Sequence, residues 1–263
     1  MTDFIGTENS VSVQRRLQDR QPMMAQTPGL VNGGRVLHCL DPDAVGWSVV
    51  HQLAGEDKLM GFPVIDHDLA LSLIHDKLGP HWKTPVWHAL LGSKEQVLAA
   101  CSMVIESVPL ATGWSVVHHS CPNAAQLEQV QALNAETGVA PYPAYYMRSE
   151  AVPVLTTCVY DGAGDLIATA SVADRYHRDS RLAGHMFAGM VSVSETKRGR
   201  GLGKLVNALA LVKSQVQFGW TVATEQVAAD NVASRAMIMA CGLTHDAGLV
   251  SVAAMNSDET FSR

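Results

Sequence analysis

The segment Val191-Ser192-Val193-Ser194-Glu195-Thr196-Lys197-Arg198-Gly199-Arg200-Gly201-Leu202-Gly203-Lys204 holds the residues best suited to chemistry. An apolar stretch runs into alternate glycines, and Leu202, Leu205, Val206, Leu209 and Val212 then repeat at helical spacing. A strand that turns through glycines into a helix exposes backbone N–H groups at the positive end of the helix dipole, which is an anion site. Glycine lets a phosphate approach the backbone closely, and Arg198, Arg200 and Lys204 add positive charge. Two common phosphate loops do not fit. A Walker loop needs Gly-x-x-x-x-Gly-Lys-Ser/Thr, but Arg198 stands where the first Gly belongs and Leu205 follows Lys204. A dinucleotide fingerprint needs G-x-G-x-x-G, whereas Gly199, Gly201 and Gly203 give G-x-G-x-G.

The elements that must position this loop are legible from turn and cap signals. From Gly113 a strand over 114–118 leads to a helix from about Asn123 to Glu136, closed by Gly138. Strands over 154–160 and 166–172 flank Asp161-Gly-Ala-Gly-Asp165, a hairpin signal. A third strand covers 187–193, the loop and its helix follow, and Gly219 ends that helix. A strand over 221–227 precedes a last helix that Asn231 caps and Gly242 ends. The order β-α-β-β-β-α-β-α predicts a mixed sheet covered by helices. Residues 1–110 read as a separate N-terminal part of unknown role, mixed and helix-containing. Residues 1–26 read as a tail with at most one short helix. Helices are predicted over 68–78, with Leu69, Leu73 and Ile74 on one face, and over 93–106, where Ser93 and Gln96 form a capping box. Gly46-Trp-Ser-Val-Val-His51 recurs as Gly113-Trp-Ser-Val-Val-His118, which hints at an internal duplication, although the flanks do not align.

Composition narrows the class. Apolar residues make up 47% and charged residues 17%, below the roughly 25% charged of an average domain. The net charge of -6, with 19 basic against 25 acidic residues, leaves no cationic excess for bulk phosphate neutralisation, which argues against nucleic acid as a partner. No run is long and apolar enough to span a membrane. Five scattered cysteines without a C-x-x-C pair fit reduced thiols and a cytoplasmic location. The eleven histidines, including His118-His119 near Cys121, lack zinc-ligand spacing, so no metal is expected.

The pattern Arg198-x-x-Gly201-x-Gly203 resembles the acyl-CoA pyrophosphate loop of the GCN5-related N-acetyltransferase (GNAT) superfamily. The strand ends at Val193, five residues before Arg198, as in that family, although Glu195 replaces a usual Pro. A second family element follows in Val227-x-x-x-Asn231, Ser234 and Gly242-Leu243. The resemblance covers about residues 112–256. It implies a GNAT acetyltransferase domain over 111–263, mixed α/β with a central mixed sheet, and acetyl-CoA as co-substrate. Backbone groups from Val191 to Val193 would bond the pantetheine arm. The N–H groups of Arg198, Gly199, Arg200, Gly201, Leu202, Gly203 and Lys204 would hold the pyrophosphate, and Asn231 and Ser234 would sit near the lower arm. Ile238 occupies the position where many members place the tyrosine that protonates the leaving thiolate. Cys241, solvent or Tyr176 stand as alternatives.

An amine that attacks a thioester must be neutral, while a free lysine-type amine titrates near 10.4. A base is therefore required, and Glu225 and His185 are the candidates. The acceptor side would be lined by Tyr142, Tyr145, Tyr146 and Arg148, with Asp174-Arg-Tyr-His-Arg178. Aromatics with an arginine suit a small amine that also bears a carboxylate, such as an amino acid. The expected activity is acetyl transfer to a primary amine of a small molecule in a direct ternary complex, with a homodimer among the arrangements allowed. Acetylation of a peptide or protein amine, and a non-catalytic acyl-CoA-binding regulatory module, are the alternatives.

Overall fold

The computed structural model describes residues 3–256. The first part of the chain forms α1 (Glu8–Asp19), α2 (Gln21–Met24), β1 (Leu30–Asn32), β2 (Leu37–Cys39), α3 (Pro42–Val45), α4 (Trp47–Asp57), β3 (Leu59–Asp66), α5 (His67–Leu78), β4 (Val86–Ser93) and α6 (Lys94–Ser107). After it come β5 (Ser115–His119), α7 (Ala124–Glu136), α8 (Ala144–Met147), β6 (Val154–Tyr160), β7 (Leu166–Ala173) and β8 (His185–Val193). The chain continues with α9 (Leu202–Phe218), β9 (Val222–Val227), α10 (Val232–Ala240) and β10 (Thr244–Met255).

All strands join one ten-stranded sheet in the order β1-β2-β3-β10-β4-β9-β8-β7-β6-β5. The sequence divides near residue 110; the sheet does not. Strand β10 lies antiparallel between β3 and β4, so the end of the chain is hydrogen-bonded to two strands of the first part. Strand β4 in turn pairs with β9, setting Leu90 opposite Glu225. Among the described residues only the β2–β3 and β8–β9 pairs are parallel.

Local chemistry explains the helices. Ser93 and Gln96 cap α6 reciprocally, and Asn123 and Gln126 do the same for α7. Gly219 takes a left-handed φ of 70° and stops α9. Helices α6, α9 and α10 cover one face of the sheet, with Val97, Cys101, Leu205, Leu211 and Ile238 packed on Ala168, Val172, Met186 and Ala223. Helices α7 and α8 cover the opposite face of β6 and β7, so the neighbours Val172 and Ala173 enter different layers, as the two-residue period of a strand demands.

Two expectations need correction. The expected tail over 1–26 is folded across its described residues, 3–26: α1 and α2 bury Val13, Leu17 and Met24, and Arg16 and Arg20 pair with the buried Asp57 at 2.6 and 2.8 Å. The few apolar residues of this polar stretch recur at helical spacing, which is enough to dock it. Helix α5 buries Ala70, Ile74 and Leu78, not Leu69, because its inward face is set by the strands beneath it. The first part also contains four strands, hidden from periodicity because β1 and β2 have three residues each, β3 is almost wholly buried, and β4 shows no regular alternation of burial.

Candidate active site

Strands β8 and β9 pair only from His185↔Val222 to Phe187↔Thr224. Beyond that point no pairing joins them, and the β8 edge has no partner strand on that side. Met190 has a φ of +56° at the place where the β7 register also shifts, a β-bulge that bends β8 away. A cleft of about 760 Å³ opens there. Val191 and Val193 line it from the strand, and Asn231, Ser234 and Met237 from α10.

The glycine loop closes the cleft's far end. After a single 3-10 turn, Glu195–Lys197, Gly199 and Gly201 adopt φ of +76° and +78°, a conformation that side-chain-bearing residues rarely hold. Gly201 caps α9 without a side chain, so the first-turn N–H groups carry no side-chain acceptor. Arg198, Gly199, Gly201, Leu202, Gly203 and Lys204 all line the cleft. Arg198 is anchored by its Nε, which donates to the Val193 carbonyl at 3.2 Å. Arg200 departs from expectation. It is exposed and does not line the cleft, since the left-handed glycines on either side turn it outward. Asn231 caps α10 by accepting from the Ser234 N–H at 3.1 Å.

Where the strands part, a smaller cavity of about 150 Å³ continues the cleft through Val139, Val191, Asn231, Ser234 and Met237. Glu225 lies in its wall, only 3% exposed. Its Oε1 accepts from Asn207 Nδ2 at 2.8 Å. Burial pushes its carboxyl up to about 7, against the opposing pull of the Asn207 hydrogen bond. Asn207, fully buried on α9, was not identified from sequence; a polar residue inside an apolar helix face was the only signal for it. Ile238 lines the same cavity, 2% exposed.

The other two candidates for proton transfer lie elsewhere. His185 begins β8, six residues before Val191, roughly 20 Å along an extended strand, and its Nδ1 faces the Ala183 carbonyl. Tyr176 is buried among Val31, Leu40, Val64 and Leu182, and its hydroxyl accepts from Arg175. Cys241 is buried with its thiol donating to the Lys204 carbonyl, and its neighbour Cys101 and its burial raise its pKa.

A third cavity, about 130 Å³, adjoins the second through Trp87, Phe187, Met190 and Gln226. Tyr142 and Arg175 line it, as does the first part of the chain through His38, Phe62 and Trp87. Sequence reasoning missed this contribution from residues before 110. Of the residues predicted for the acceptor side, Tyr145, Tyr146 and Arg148 do not reach the cavity. Tyr145 and Tyr146 are core residues whose hydroxyls engage Asn32, and burial pushes the Tyr145 phenol up to about 12. Arg148 pairs with Asp3 and Glu150 near the surface, at 3.4 and 3.7 Å. Helix α8 turns the two tyrosines into the core, leaving Tyr142, itself buried, as the tyrosine that lines the cavity.

Among the described residues no cluster of three or more His, Cys, Asp or Glu is placed to hold a metal ion, and no helix is long and apolar enough to cross a membrane.

Comparison with known proteins identifies the fold. No family model matches the sequence, and no curated protein matches it. Solved structures do match. A GCN5-related N-acetyltransferase from Kribbella flavida is similar at 16% identity and a TM-score of 0.53, over 94% of this chain and 96% of that one. A tandem GNAT protein from the clavulanic acid biosynthesis pathway aligns at 14% identity and 0.53, over 87% and 78% of the two chains. A Drosophila protein aligns at 16% identity and 0.59, over 95% and 90%. The chain has the fold of the GCN5-related N-acetyltransferases, and the alignment extends across its first part as well as its second.

Proposed function

We propose that the protein is an acetyl-CoA-dependent N-acetyltransferase that acts on the primary amine of a small molecule in a ternary complex. The observation that carries this reading is the convergence of three features on one opening: the parted strands β8 and β9, the glycine loop at the α9 N-terminus, and the buried Glu225 at the point of parting.

The cleft fits acetyl-CoA in chemistry. Left-handed glycines leave room for a diphosphate at the helix end, with Arg198 and Lys204 beside it. The unpaired edge of β8 presents backbone donors and acceptors to an amide-bearing arm, in the manner of an added strand. When bound, acetyl-CoA supplies the acetyl group as a thioester. Glu225 takes the proton that the ammonium must shed; with a pKa near 7 it is ionised in part at neutral pH and matched to that task. Asn207 holds the carboxylate in place through Oε1. The new C–N bond replaces the C–S bond, and the released thiolate is protonated from solvent that enters along the open cleft.

The narrow cavities beside Glu225 support a small acceptor over a peptide, which needs an open groove. One observation favours a second reading. Ile238 puts an apolar side chain where the family's acid often stands, as expected of an acyl-CoA-binding module that has lost chemistry. Thiol release separates the two: purified protein with acetyl-CoA and a panel of amines releases free CoA if the first reading holds. Binding of acetyl-CoA in calorimetry without any thiol release, across the whole panel, supports the second.

A further inference from the structure

Arg175 lies in the connection between β7 and β8 and is 6% exposed. Its guanidinium stacks 3.8 Å from the Phe187 ring centroid, and Nη2 donates to the Tyr176 hydroxyl at 3.2 Å. Its Nε is enclosed and has no hydrogen-bond partner. Tyr176, Tyr146 and Tyr142 act on it favourably, and no carboxylate among the described residues pairs with it. The 130 Å³ cavity that it lines contains no Asp or Glu, while Arg35 and His38 share its wall. The His38 Nδ1 is likewise buried without a partner, and Gly33 and Gly61 make room for the ring: a Cβ on either would lie 2.3 Å from it.

A buried guanidinium with an empty donor is costly to keep, because no carboxylate offsets its desolvation. The fold retains it in a cavity of uniform sign. Its planar fork, fixed between two aromatic rings, is preset for two-point contact with a carboxylate.

We propose that Arg175 binds the carboxylate of the acceptor, which makes the acceptor a small amine of the amino-acid class. For the amine end the proposal rests on the acetyltransferase reading. Phe187 joins the two ends: Arg175 stacks on its ring, and its backbone pairs with Thr224, the residue before Glu225. Trp87, Met190 and Gln226 line both cavities as well, so one small molecule can present its carboxylate to Arg175 and its amine towards Glu225.

The test uses the full chain and matched pairs, each common amino acid beside its own carboxamide, with thiol release at fixed acetyl-CoA. The acid is expected to exceed the amide in kcat/KM by about 10- to 100-fold for at least one pair, the range for a charged hydrogen-bonded contact. Arg175→Met should bring that ratio close to one. Arg175→Lys, which keeps the charge but loses the fork, should give an intermediate ratio, and it carries the test if the methionine variant does not fold. A ratio unchanged in both variants, or a wild-type preference for the amide, overturns the proposal. Malonyl-CoA is the arm for the other source of a carboxylate: if Arg175→Met impairs only its use, the carboxylate belongs to the acyl group and the proposal fails. Calorimetry with the amino acids alone separates this proposal from the acetyltransferase reading. Binding that Arg175→Met abolishes, in a protein that transfers nothing, upholds the carboxylate site and sinks the enzyme; absence of any binding or turnover preference sinks the site.

Discussion

The hexapeptide Gly-Trp-Ser-Val-Val-His occurs twice, and it folds in two ways. At 46–51 it opens helix α4; at 113–118 it runs into strand β5. The first copy continues as Gln-Leu-Ala-Gly-Glu-Asp, so Val50, Leu53, Ala54 and Asp57 form a buried stripe at helical spacing. The second is followed by His119-Ser120-Cys121-Pro122, which cannot extend a helix, and β5 finds its bonds on β6, with Val117 opposite Cys158. Identical residues thus take the structure that their neighbours can bury, and local propensity decides little. The repeat is therefore no trace of duplication, since its copies hold non-equivalent places in the sheet and its cover.

A wider contrast runs between the two parts of the chain. The part after 110 supplies the parted strands, the glycine loop and Glu225; the part before it supplies Trp87, Phe62 and His38 to the wall of the 130 Å³ cavity. Removing Glu225 should break this division of labour most severely. Glu225→Gln is expected to lower kcat by about 100- to 10,000-fold, the usual contribution of a positioned base, with acetyl-CoA affinity nearly unchanged. Wild-type activity should rise with pH through about 7 and then level off, because a base acts when ionised and its carboxyl titrates there. The same shift has a stability consequence of opposite slope. Folded Glu225 holds its proton to about 7 and an unfolded one only to about 4.5, so the folded state is favoured at low pH. Stability should fall by up to about 3 kcal/mol as pH rises across that window, and denaturant titrations of the glutamine variant should lack this slope.

The hexapeptide contrast has its own test. Val50 and Val117 are the same residue of the repeat, yet Val50 is 0% exposed and Val117 38%. Val50→Ala should cost about 2–3 kcal/mol, from lost burial of two methyl groups plus the cavity left behind. Val117→Ala should cost less than about 1 kcal/mol on an edge strand. Equal losses in urea unfolding would mean that the two copies are packed alike, and the contrast would collapse.

What could be read in advance followed from how local the determinants are. The caps of Ser93, Asn123 and Asn231 and the stop at Gly219 act within a turn or two, so the sequence displays them directly. The loop at 198–204 is similarly self-announcing, because left-handed turns demand glycine. The insertion of β10 between β3 and β4 is a pairing across most of the chain, and no nearby residue encodes it. Glu225 was legible as a candidate base, but its burial depends on Asn207 and on Leu90 across the sheet. Arg175 was legible as one member of the acceptor-side run Asp174 to Arg178; its lack of a carboxylate partner is a property of the assembled cavity. Tyr145 and Tyr146 carried the right chemistry and the wrong direction, since α8 turns them into the core.

The smallest expected effect distinguishes two arginines on one loop. Both are exposed, but Arg198 lines the cleft and is tied by its Nε to the Val193 carbonyl, whereas Arg200, two residues on, does not line it. Both are equally basic and Arg200 is the nearer in sequence to the start of α9, so a merely electrostatic loop would respond at least as strongly to reversal at Arg200. Arg198→Glu should weaken acetyl-CoA binding by about 10-fold, through loss of a charge-assisted contact at the diphosphate and repulsion in its place. Arg200→Glu should change it by no more than about 2-fold at 0.15 M salt, where an outward charge is screened. Calorimetry at low and physiological salt reads the difference. If the two variants lose affinity equally at both, the long-range field of the loop governs binding, and the Val193 carbonyl that holds Arg198 at the cleft has no part in it.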